Sequence, residues 1–251
     1  MSGHSKWAQI KRQKGVTDAK RGQLFTKLGK EIMVAVHDGG SNPDQNFRLR
    51  LIVQKCRDSN MPSDNIERAI KKASGEGGTV AYTEAYFEGY GPGGVAILIQ
   101  VLTDNRNRTL QEIRSIFNRG NGNMAEAGAV SWLFEARGLI TVETAQGDPE
   151  EMALAAIDAG ADDVKIEDGF LEIYTESDKL EEVRRSLEGT SLPVQSAELS
   201  MIPKTTVELD EDNANRVLKL LDKLEELDEV QRVFSNVEFS EEVGAKLEAQ
   251  A

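Results

Sequence analysis

The 251-residue chain carries 30 Lys+Arg against 43 Asp+Glu, a formal net charge of −13, with one cysteine (Cys56) and two histidines (His4, His37) in separate segments. That inventory excludes an intramolecular disulfide framework and any zinc site of recognisable spacing. No run approaches the roughly 18 consecutive apolar residues of a membrane span, and the basic start lacks the apolar core of a secretory signal, so a cytoplasmic protein is expected.

Residues 1–16 scatter Trp7, Ile10 and Val16 without periodicity and are expected to form a flexible basic arm. Thr17 is a candidate N-cap for a first helix. Leu24, Leu28 and Ile32 then recur at helical spacing, Phe25 and Met33 widen the stripe, and Gly39–Gly40 end it. A second helix is expected after Asn42, with Pro43 at its first position and Phe47, Leu51 and residues 53–56 on its apolar face. A third runs from Ser63 through Ile66 and Ile70 to the glycine-rich stretch 74–78. Three helices with short loops over residues 17–75 make a small bundle, and Cys56 reads as its buried, inert thiol.

Beyond the glycines the period changes to two. Residues 79–90 and 94–104 read as strands joined at "GYGPGG", a helix follows over 106–119, and "GAVSWLFE" (128–135) reads as another strand. Residues 136–203 then spell β-α-β-β-α-β, the ferredoxin-like order. Strand "TTVELD", a helix over 211–227 and a strand over 229–238 complete the interrupted middle domain. The expected fold class is therefore α+β. It comprises an N-terminal three-helix bundle and two α/β domains: a middle domain built from 79–135 plus 204–240, and an acidic ferredoxin-like domain, 136–203, inserted into it.

"GYGPGG" matches G-x-G-x-x-G literally, but a dinucleotide site needs a helix after the glycines. Here the buried strand "VAILIQVL" follows, so a hairpin turn is the reading. No Walker A loop or G-x-S-x-G elbow occurs, and no carboxylate pair stands out from the solvated faces. A non-enzymatic protein is expected, with no cofactor, no metal and no small-molecule substrate.

The charge is partitioned. Residues 1–75 hold 15 basic and 7 acidic side chains, and residues 76–251 hold 15 and 36, so a +8 head precedes a −21 body. Such asymmetry points to a polyanion. Within residues 1–30, Lys6, Lys11, Arg12, Lys14, Lys20, Arg21, Lys27 and Lys30 face one carboxylate, Asp18. Neutralising six to eight phosphates would give a log–log salt slope of about −5 to −7 on duplex, shallower on single strands. Trp7 either stacks on a base or packs back on the bundle. A second cluster, "TDNRNRT" (103–109), lies at a strand-to-helix junction and supplies Arg106, Asn107 and Arg108, with Arg114 behind them. A helix N-terminus suits a phosphate. The competing reading is that Asp104 and the arginines satisfy one another, or pin the inserted domain.

The blocks "GHSKWAQIKRQKGVTDAKRGQLFTKLGKEI", "FEGYGPGG", "TDNRNRT" and "GAVSWLFE" together resemble the YebC/PmpR family, over essentially the whole chain. Trp132 and Phe87 stand where the family more often shows Tyr. The resemblance implies three domains, a cytoplasmic bacterial protein, and one of two roles. One is a probable transcriptional regulator that binds DNA. The other is a translation factor that binds rRNA or tRNA on the ribosome and relieves stalling at proline-rich stretches. A protein-interaction module is a further alternative. The second bundle helix (Arg48, Arg50, Lys55, Arg57) is the one candidate for groove reading, yet no helix-turn-helix stands out. DNA and RNA both remain open as partner, as does the oligomeric state.

Overall fold

The computed structural model describes residues 18–75, 82–145, 147–167, 169–190, 192–240 and 242–243. The expected arm, residues 1–16, and the proposed cap Thr17 lie outside them. The fold is α+β and divides into two compact units. One contains the described residues through Leu133 and from Thr205 onward, and the other is Phe134–Lys204.

In the first unit, helix α1 (Asp18–Gly39) packs on α2 (Phe47–Asp58) and α3 (Ser63–Ala73) around Leu28, Ile32, Leu49, Ile52, Cys56 and Ile66. Helix α2 does not start at Pro43, which sits in a turn. The cap is Asn46, whose Oδ1 accepts from Leu49 N–H at 3.0 Å. Its Nδ2 donates to the carbonyls of Ala35 (2.7 Å) and Gly40 (2.8 Å), so one amide closes α1 and opens α2. An N-cap with two further partners outcompetes the preference of Pro for a first helical turn. Burial, reinforced by Glu31, pushes the Cys56 thiol up to about 11, which keeps it protonated and inert.

The sheet of this unit runs β3-β1-β2-β9, all antiparallel, from β1 (Thr83–Tyr90), β2 (Ala96–Thr103), β3 (Asn123–Ala125) and β9 (Val230–Ser235). "GYGPGG" is the hairpin turn: Pro92–Gly94 form a 3-10 turn, and Gly93 takes φ 73°, which an L side chain rarely adopts. Helices α4 (Arg106–Arg119) and α7 (Glu211–Glu225) seal one face of the sheet. Phe117, Ile113, Val217, Leu220 and Leu221 meet Phe87, Ile97 and Ile99 there. Short strands β8 (Val207–Glu208) and β10 (Val237–Glu238) pair in parallel beside it.

The second unit contains β4 (Phe134–Glu143), α5 (Pro149–Asp158), β5 (Asp163–Glu167), β6 (Phe170–Thr175), α6 (Leu180–Gly189) and β7 (Val194–Pro203). The antiparallel order β5-β6-β4-β7 is the ferredoxin-like arrangement. Ile140 faces Ile173 and Val142 faces Leu171 across the ladder, all four fully buried.

The strand expected over 128–135 is not there. Ser131–Leu133 make a 3-10 turn, β4 begins only at Phe134, and the edge next to β1 is filled by β3. Alternating Val130, Trp132 and Phe134 mimic a strand, but a carboxylate overrides the pattern. Buried Glu88 accepts from the backbone N–H groups of Gly128 (2.7 Å), Val130 (2.6 Å) and Ser131 (3.0 Å), folding this segment around itself. Burial alone would raise the carboxyl's pKa, but the three N–H bonds together hold it below its ordinary 4.5. A depressed carboxyl stabilises the fold above its unfolded pKa and loses that contribution as pH falls through its folded pKa. Glu88→Gln should therefore lower stability at pH 7 by about 1–3 kcal/mol. In thermal melts followed by circular dichroism from pH 7 to 3, the Tm deficit of Glu88→Gln should shrink below about pH 4. A deficit that does not change with pH would contradict this role.

Candidate nucleic-acid interface

Lys6, Trp7, Lys11, Arg12 and Lys14 lie outside the described residues. Lys20 and Arg21 are exposed on the first turn of α1. Lys27 is half-buried, and its Nζ donates to the Glu225 carbonyl at 2.6 Å. One turn on, Lys30 is 9% exposed and donates to the Asp228 carbonyl at 2.9 Å, while Gln23 Nε2 donates to the Glu226 carbonyl. Gln23, Lys27 and Lys30 stand at i, i+4 and i+7, one face of a helix. They grip the C-terminal carbonyls of α7, where the helix dipole favours cations. Lys27 thus has a partner within the fold, and the exposed cations of α1 that precede it are Lys20 and Arg21.

The Asn/Arg loop meets the same place. Lys30 Nζ stands 5.6 Å from the centre of the Tyr82 ring. Burial first, then the negative charges of Asp104 and Glu229, push the Tyr82 hydroxyl pKa up. Those two carboxylates hold Arg108, at 2.7 and 3.3 Å, and Asp104 foremost raises the guanidinium's pKa. The possibility raised from sequence, that Asp104 and an arginine satisfy one another, is what Arg108 does. Arg106 lies 5.7 Å from the Phe87 ring centre and, like Asn107 and Arg114, is exposed.

The loop itself is tied by hydrogen bonds. Asn105 caps α4 by accepting from Arg108 N–H (3.1 Å), and its own N–H donates to Thr103 Oγ1 (2.9 Å). Thr103 and Thr109, both buried, share a hydroxyl bond of 2.8 Å. No carboxylate occupies the first turn of α4 itself, although Asp104 and Glu229, both on Arg108, stand beside it.

The groove-reading candidate α2 fares differently. Arg48 bonds Glu84 at 2.7 Å, Arg50 donates to the carbonyls of Pro43 and Asp44, and Lys55 pairs with Glu31 at 3.7 Å. These three cations join segments of the protein, while the fourth, Arg57, is exposed. Sequence reasoning also passed over Arg216, Lys219 and Lys223, exposed on one face of α7 at i, i+3 and i+7. The signal was their spacing, hidden because α7 belongs to an acidic segment.

The family's domain descriptions match most of the chain: "TACO1/YebC protein N-terminal domain" over residues 5–76 and "TACO1/YebC second and third domain" over 82–237. The chain belongs to the TACO1/YebC family. A probable transcriptional regulatory protein of Dehalococcoides mccartyi strain BAV1 is 57% identical over 251 residues, all of both chains. One from Chloroflexus aurantiacus is 51% identical over 99% of this chain and all of its own. The crystal structure of a conserved hypothetical protein from Aquifex aeolicus superposes with a TM-score of 0.83 at 45% identity, covering 89% of this chain and 93% of that one. Among the described residues of this TACO1/YebC protein, no helix is long and apolar enough to cross a membrane.

The grip on α7 has a measurable consequence. Lys30→Met keeps the apolar stem but removes a charge-assisted bond, and should cost about 1.5–3 kcal/mol. Lys20→Ala, at an exposed position, should change stability by no more than about 0.5 kcal/mol. Urea unfolding midpoints measure both, and a Lys30→Met midpoint equal to wild type would contradict the tether.

Proposed function

We propose that this protein is a non-enzymatic, cytoplasmic, nucleic-acid-binding regulator of gene expression. The charge partition carries the proposal: a +8 head on a −21 body. A cationic head gives affinity for phosphates without choosing sequence, and the net negative charge of the remainder disfavours contact there outside its own cationic clusters. Lys6, Lys11, Arg12, Lys14, Lys20 and Arg21 are the proposed phosphate contacts, with Trp7 beside them. Arg106 and Asn107 at the start of α4, with Arg114 about two turns on, form a second contact. Membership of a family whose relatives are called probable transcriptional regulatory proteins supports the general reading.

Between the two nucleic acids, the engagement of Arg48, Arg50 and Lys55 within the fold favours RNA. A recognition helix must carry free side chains to base edges in the major groove, and α2 keeps these three at home. RNA bound through its backbone and single-stranded regions makes no such demand. The relatives' titles favour DNA instead.

Sedimentation with ribosomes, with and without RNase, beside a duplex DNA shift at matched salt separates the two. RNase-sensitive co-sedimentation is the expected result. A sequence-selective duplex shift with no ribosome pelleting would reverse the choice of RNA. A chain begun at Thr17 should fold and bind roughly tenfold or more weakly near 0.15 M salt, because several phosphate contacts are lost. Unchanged binding across several salt concentrations would exclude the arm.

A further inference from the structure

A cavity of about 320 Å³ opens between the C-terminal end of α4 and the outer face of α7. Four cations line it, Arg119 from α4 and Arg216, Lys219 and Lys223 from α7, and its lining among the described residues contains no carboxylate. That composition runs against its surroundings. Residues 204–251 carry 6 basic and 13 acidic side chains, and three of the six basic ones meet at this one cavity. Two of the four have ties within their own helices that leave them accessible. Arg119 donates to Ser115 Oγ at 2.8 Å, and Lys223 pairs with Glu226 at 2.7 Å. Exposed pairs of this kind are worth little and exchange readily for a better anion.

The apolar part of the lining is Ile116, with only the edge of the nearly buried Leu220 reaching it. Gly120 makes the close approach possible, since a Cβ there would stand 2.8 Å from Leu220 Cδ1. The helix ends in a motif that puts Asn121 at the rim. Gly122 N–H donates to the Phe117 carbonyl at 2.9 Å, and Asn121 takes φ 55°, the left-handed position that glycine usually fills. Asn121 is among the lining residues, and an asparagine amide offers both a donor and an acceptor.

We propose that this cavity binds a nucleotide, with phosphate held by Arg119, Arg216, Lys219 and Lys223, and the base lying against Ile116 beside Asn121. Guanidinium forks grip phosphate oxygens in pairs while ammonium groups add point charge. An apolar lining with a few polar groups at the edge is the usual make-up of a small-ligand pocket, and the volume falls at the small end of that range. A bare anion would have no use for Ile116, and an apolar ligand none for four cations. The nucleotide is either free or one unit of a strand. This site is separate from the head and the α4 N-terminus, and stands or falls independently of them.

The test is titration of the full chain with AMP, inorganic phosphate and adenosine, by calorimetry and by backbone amide NMR shifts. AMP should bind saturably, at least tenfold more tightly than phosphate or adenosine, and shift the amides of residues 119–122. Arg216→Ala/Lys219→Ala, both exposed positions, should weaken AMP at least tenfold with an unchanged thermal melt. Arg185→Ala on α6 should leave AMP affinity unchanged. Displacement of AMP by a single-stranded oligonucleotide identifies a strand unit as the ligand, and failure to displace identifies a free nucleotide. Phosphate binding as tightly as AMP, shifts elsewhere, or an unweakened double variant would each overturn the proposal.

Discussion

Glu225, Glu226, Asp228 and Glu229, at and just past the end of α7, tie helix α1 to the rest of its unit. The carbonyls of Glu225, Glu226 and Asp228 accept from Lys27, Gln23 and Lys30 of α1. The Glu229 carbonyl accepts from Leu102 N–H at 2.8 Å, which fixes the turn to the end of β2, and the Glu229 carboxylate holds Arg108. A helix C-terminus leaves carbonyls without intrahelical partners, and cations are the groups its dipole prefers. The bundle is thus attached through the one end of α7 that needs positive charge. Helix α1, the Asn/Arg loop and the β2 terminus, far apart in sequence, share a single anchoring turn.

That attachment sorts the positive charge by role. Lys27, Lys30, Arg48 and Lys55 are engaged inside the unit and act on its architecture. Lys20 and Arg21 on α1, and Arg106 and Arg114 on α4, face solvent. A count of basic residues therefore overstates what a polyanion can meet, and the difference is large enough to change a measured salt dependence. The same sorting removes most of the case for α2 as a groove-reading helix. On the proposed reading, what remains are exposed cations suited to phosphate backbones.

The regular elements were readable because their periodicity is local. Leu24, Leu28 and Ile32 mark α1, and the βαββαβ order of the inserted unit follows from alternation and turn residues alone. Misreadings occur where a distant or competing polar group decides the backbone. Val130, Trp132 and Phe134 alternate as a strand would, yet Glu88, some forty residues earlier, gathers three N–H groups and makes a turn. Pro43 looked like a helix start, but Asn46 satisfies two helices at once. The candidate site was legible as a charge imbalance and not as a set of partners. Nothing local to Lys27 or Arg48 announces a carbonyl on α7 or a carboxylate on β1. Net charge summed by segment also averages the two faces of a helix, which is how Arg216, Lys219 and Lys223 vanished into an acidic stretch.

The proposal's central claim is that a small set of cations, most of them in the basic N-terminal segment, holds phosphate backbones without reading sequence. The direct measurement is the affinity of the full chain for two single strands of unrelated sequence, followed from 50 to 300 mM salt. With Lys6, Lys11, Arg12, Lys14, Lys20, Arg21, Arg106 and Arg114 as the contacts, eight phosphates give a log–log slope of about −6 on single strands, and the two sequences should share both slope and affinity within roughly a factor of two. A slope near zero, or a preference of more than about tenfold for one strand, would contradict the account.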